Sequence, residues 1–144
     1  MWTYTYSVVA RASIEVVHSL FEDVARWPEW NAGTEWVRLD GPFAVGTAGT
    51  MKVPDQEPLR FRLIAVGPDG FEDETEVPDA GIVVRVRHSI EPVDAAAVRI
   101  TYRATIDGPA ADAVGPVIGP DITADFPEVL VALASRAEAI TKAA

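Results

Sequence analysis

The chain has 144 residues, 49% hydrophobic and 24% charged, and its 12 basic and 22 acidic side chains leave a formal net charge of -10. That length predicts one domain, residues 1–144, burying roughly 70% of its unfolded-chain surface. The absence of cysteine excludes disulfides, thiolate catalysis and cysteine metal sites, and the acidic balance excludes the positive footprint of a nucleic-acid binder.

The start, Met1-Trp2-Thr3-Tyr4-Thr5-Tyr6, lacks the basic head and unbroken apolar core of a signal peptide. No run is long enough for a membrane span, so a cytoplasmic protein is expected. From Trp2 to Ala10 apolar and polar residues alternate, the pattern of a half-buried strand. Ser13 is placed to cap a short helix. Ile14, Val16, Val17, Leu20, Phe21 and Val24 share one side of it, and His18 sits at the margin, where packing or solvent contact is its ordinary use. Pro28 in Trp27-Pro28-Glu29-Trp30-Asn31 disfavours helix at Trp27, so the chain turns there.

Six more strand patterns follow: Glu35 to Leu39, Thr47 to Val53, Leu59 to Val66, Phe71 to Val77, Ile82 to Ile90 and Val98 to Ile106. Gly-Pro and Pro-Asp pairs mark the joins. Short joins imply hairpins and hence an antiparallel meander. The last third is helical, with Ile122, Phe126, Val129, Leu130, Leu133, Ala137 and Ile140 on one stripe. Pro116, Pro120 and Pro127 predict a kink, or a short helical turn leading into a straight helix from about Asp121. This order gives an α+β fold in which the long C-terminal helix covers the single apolar face of the sheet.

Strand side chains repeat every two residues, so faces can be assigned. Val77 paired with Ile82 sets Glu74 opposite Arg85 and Glu72 opposite Arg87. Opposite charges then face one another on an outward, solvated surface. The same register puts Phe71 opposite His88 and Asp73 diagonal to it, with Tyr102 also diagonal. Asp73, Thr75, His88 and Tyr102 thus form a polar island on an apolar concave face. Such an island either completes a core network or orients the polar end of a ligand. The expected pocket is lined by Phe61, Leu63, Phe71, Thr75 and Val86, with His88, Ile100, Tyr102, Phe126 and Leu130 completing it. No HxxxH spacing, nucleophile elbow, phosphate loop or dinucleotide fingerprint occurs, so neither a metal nor a cofactor is expected.

The run Ala12-Ser13-Ile14-Glu15-Val16-Val17-His18-Ser19-Leu20-Phe21-Glu22-Asp23 resembles the first helix of the polyketide cyclase/dehydratase-like branch of the SRPBCC (START-like) superfamily. Trp27-Pro28-Glu29-Trp30-Asn31 resembles the turn that follows it there. Val37 to Pro42 and Val45 to Thr50 resemble the next two strands. Gly108-Pro109 and the stretch from Phe126-Pro127 to Glu138 resemble the family's closing elements. Ser13 stands where proline is common and His18 where a large aromatic is common. The resemblance implies a helix-grip fold: a curved seven-stranded antiparallel sheet around a long C-terminal helix, with two short helices after the first strand. It also implies a cavity for a small hydrophobic molecule, and it brings no universal catalytic motif. Three functions are open. One is binding of a small lipid- or polyketide-like metabolite, by a monomer or homodimer. Another is a cyclase or dehydratase using His88 as general acid–base with Asp73 and Tyr102. The third is a protein-interaction or stress-related domain with a filled core.

Overall fold

The structure, a computed structural model, describes residues 1–143. The elements are β1 (Trp2–Ala10), α1 (Ile14–Glu22), a 3-10 helix (Val24–Glu29), β2 (Trp36–Leu39), β3 (Ala48–Lys52), β4 (Leu59–Gly67), β5 (Gly70–Val77), β6 (Ile82–Asp94), β7 (Ala97–Asp107), α2 (Ala111–Thr123) and α3 (Phe126–Ala143); a single 3-10 turn, Pro78–Ala80, joins β5 to β6. The strands form one antiparallel sheet in the order β1-β7-β6-β5-β4-β3-β2. Every pair but β1–β7 joins neighbours in the sequence, as the short joins require.

Local chemistry sets the first turn. Ser13 caps α1, its Oγ accepting from the Val16 amide at 3.2 Å. At the other end Trp27 Nε1 donates to the Phe21 carbonyl at 3.0 Å. The indole thereby satisfies a helix C-terminal carbonyl and fixes where the chain turns. Val17 and Phe21 are fully buried, and α1 lies over β6 and against α3.

The sheet twists so that α2 and α3 lie across β1 and β7. Leu130 and Leu133 of α3 are fully buried, as are Ile100 and Ile106 of β7. Ile140, expected on the concave face, is instead 37% exposed. By that point α3 borders a cleft formed with Ser19, Leu20 and Arg136 rather than the sheet.

The kink that the prolines predict is present, but it lies at Ala124–Asp125 rather than at about Asp121. Helix α2 runs through both Pro116 and Pro120 and stops at Ala124–Asp125. Both prolines are exposed, so the carbonyls they leave unpaired face water. The buried stripe is the adjacent Ala111, Gly115, Gly119 and Thr123. Pro127 falls in the first turn of α3, where its missing N–H costs nothing. Of the three prolines named from the sequence, Pro127 is the one next to the break.

Candidate functional site

The hairpin register places the polar island. Across β5, β6 and β7 one row reads Phe71–His88–Tyr102 and the next but one Asp73–Val86–Ala104. Asp73 also faces Leu63 of β4, beside a bulge that inserts Ile64 between Leu63 and Ala65. Tyr102 is directly opposite His88, not diagonal as the spacing suggested. The register shift between Pro92 and Asp94 in the β6–β7 hairpin sets this row; the pairing at Asp94 and Ala97, continued unshifted, would bring Ser89 rather than His88 opposite Tyr102.

These side chains meet. The Phe71 and His88 rings stack at 4.0 Å and 7°. Tyr102 meets His88 edge-on at 4.4 Å, and Phe126 of α3 meets Tyr102 edge-on at 5.5 Å. Such stacked and edge-to-face pairs are favoured by the ring quadrupoles. Nε2 of His88 is 3.8 Å from Asp73 Oδ2, beyond hydrogen-bond reach. The His88 Nδ1 is buried without a partner.

Burial dominates the electrostatics. It pushes the Asp73 carboxyl up to about 7, with Glu72 adding like-charge repulsion. It lowers the His88 imidazole to about 3 and raises the Tyr102 phenol. A charged form loses hydration that this face does not replace. The island is therefore uncharged in mildly acidic solution, and at neutrality Asp73 is the member that titrates. Asp73 still keeps 21% of its side chain exposed, so water reaches the carboxyl.

Of the residues expected to line the pocket, Phe61, Leu63, Phe71, His88, Ile100, Tyr102, Phe126 and Leu130 are buried. Thr75 and Val86, with Asp73, are only partly buried. These three form a strip of the concave face that the helices leave partly uncovered, because α2 and α3 pack over β1 and β7. Phe61 also borders a cleft of about 310 Å³ lined by Arg60, Arg62, Glu74 and Glu76, a mostly charged outer-surface groove. Phe21, Phe43 and Trp27 join the aromatic cluster without having been anticipated: Phe21 lies 5.1 Å from Phe71 and 6.0 Å from His88, Phe43 5.3 Å from Phe71 and Trp27 5.6 Å from it. The apolar phase of α1 placed Phe21 inside, but nothing in the sequence says which strand α1 crosses. His18 packs edge-on against Phe43 at 6.4 Å, with Nδ1 3.5 Å from Glu22, away from the island.

Residues 1–138 match the family described as "Polyketide cyclase / dehydrase and lipid transport". The chain belongs to this family. Solved structures agree on the fold. A START superfamily protein from Mycobacterium smegmatis superposes with a TM-score of 0.74 at 16% identity, covering 96% of this chain and 98% of that one. The di-domain ARO/CYC BexL gives 0.77 at 19% identity, with 98% of this chain matching 48% of that one. Truncated norcoclaurine synthase from Thalictrum flavum gives 0.74 at 14% identity, covering 92% and 90%. At such identities the likeness concerns the helix-grip fold alone. No curated protein matches the sequence. Among the described residues no helix is long and apolar enough to cross a membrane.

Proposed function

We propose that this family member binds a small hydrophobic molecule against the concave face, entering along the partly exposed strip of Asp73, Thr75 and Val86. The observation that carries the reading is the polar island itself. An apolar core has no need of an unpartnered imidazole Nδ1 or of a carboxyl 3.8 Å from the Nε2 of the same ring, and each carries a desolvation penalty. A ligand hydroxyl or carbonyl would satisfy them. Native mass spectrometry after gentle purification tests the reading. A co-purifying mass that His88→Phe diminishes supports it. A ligand-free protein that neither takes up apolar dyes nor gains thermal stability from them counts against it.

A cyclase or dehydratase is the second reading, supported by the family and by the position of the Asp73 carboxyl near neutrality, where an acid–base group is most effective. In this reading Asp73 replaces His88 as the proton carrier, because the imidazole is held neutral far into the acid range. A pH–rate profile with an inflection near 7 that Asp73→Asn abolishes and His88→Phe retains would establish it.

A further inference from the structure

The concave face has an unusual charge inventory. Among the described strand residues, Asp73 is the one formally charged side chain in phase with it. Every strand arginine and lysine is in phase with the convex face. There several are held by acids: Arg85 donates to Glu74 at 2.9 Å and to Asp107 at 3.0 Å, and Arg87 lies 3.4 Å from Asp69. The inward stripes of α2 and α3 carry no charge: Ala111, Gly115, Gly119 and Thr123 on one, and Phe126, Val129, Leu130, Leu133, Ala134 and Ala137 on the other. A ligand on this face therefore meets a carboxyl, an imidazole and a phenol, and no cation.

We infer that the concave face selects its ligand by charge: it admits an uncharged hydrophobic molecule bearing a hydroxyl or carbonyl group and excludes carboxylates, with Asp73 as the specificity-determining residue. The inference rests on the binding role proposed above. A carboxylate taken out of water needs a counter-ion or several donors. Here, once Asp73 has lost its proton, the charged neighbour is another carboxylate, and the net charge of -10 repels it at longer range. A hydroxyl has a different reception. It can donate to Asp73 or to the unpartnered His88 Nδ1, and a carbonyl can accept from Tyr102. The face thus separates two ligand chemistries that an apolar cavity alone would treat alike, acids such as free fatty acids on one side and neutral alcohols, phenols and ketones on the other.

Calorimetric titration at about pH 8, above the range in which Asp73 titrates, with 2-naphthol and 2-naphthoate tests this, since the two probes share a ring system and differ in charge. The wild type is expected to bind 2-naphthol at least about tenfold more tightly, a difference of about 1.4 kcal/mol. Asp73→Asn, which keeps the shape, is expected to narrow the gap by improving 2-naphthoate alone. Thr75→Arg, which adds a cation two residues along the same face, is expected to reverse the preference. Equal affinities in the wild type, or a gap that neither variant changes, overturn the charge selection while leaving the binding role intact. Failure of both probes to bind overturns the binding role and this inference with it.

Discussion

Burial moves the Asp73 carboxyl and the His88 imidazole in opposite directions, so their effects on stability oppose one another across the acid range. Asp73 rises from 3.8 to about 7. Between those values the native state binds more protons than the unfolded chain, and stability falls as pH rises. His88 drops from 6.5 to about 3. There the native state binds fewer protons, so stability is lost as pH falls through that window. The windows overlap, and the wild-type contribution of the pair is expected to be nearly flat across the overlap. Each variant should uncover its partner. His88→Phe should lose stability on raising the pH from about 4 to 7, and Asp73→Asn should lose it on acidification below about 6.5, each by at most ~1.4 kcal/mol for every tenfold difference in proton affinity between the native and unfolded states. Thermal melts over a pH series check this. Differences from wild type remove the shared contribution of surface pairs such as Arg60–Asp40, and profiles parallel to wild type would count against it. At this scale parity in the sequence was enough to put Asp73, Thr75 and His88 on one face. The 3.8 Å approach and the direct facing of Tyr102 were not readable, because one bulge residue shifts the pairing of a whole strand.

The contact between α2 and β1 depends on two glycines. A Cβ added at Gly115 would lie 2.6 Å from Trp2 Cβ, and one at Gly119 would lie 2.6 Å from the indole ring. The Trp2 side chain therefore occupies the groove that the two glycines leave on the helix. Gly119→Val is expected to cost about 1–3 kcal/mol by overpacking. Trp2→Ala in the same chain should recover part of that loss, since the two substitutions act on one contact. Independent, additive effects in chemical denaturation would argue against it. Leu133→Ala on α3, fully buried, should cost about 2–5 kcal/mol. A loss below about 1 kcal/mol, the range of surface changes, would be inconsistent with its place under the sheet. The strands and α3 were legible because their periodicities are strong. The length of α2 was not: its prolines read as breakers, yet they fall on an exposed face where the freed carbonyls meet water. The four-residue glycine spacing is plain in the sequence, but its partner is an indole more than a hundred positions away.

For the whole molecule, the convex face carries all the strand arginines, yet acids compensate them and the net charge remains -10. No measurable binding to duplex or single-stranded nucleic acid is expected near physiological salt. A salt-dependent micromolar affinity in an anisotropy titration would contradict this. The sheet order has a further consequence, for synthesis rather than for ligands. Trp2 pairs with Ile106 and Ala10 with Val98, whereas strands β2 to β7 pair with their sequence neighbours. The meander can close hairpin by hairpin as the chain lengthens, but β1, made first, has no partner until β7 has emerged. Long-range pairing of this kind slows folding. Throughout that wait Trp2–Ala10 is an unpaired segment with no charge and no proline, the features that otherwise discourage strands of different chains from joining. Nascent chains crowded on one message would be most exposed to mutual pairing during the interval before Asp107 leaves the ribosome.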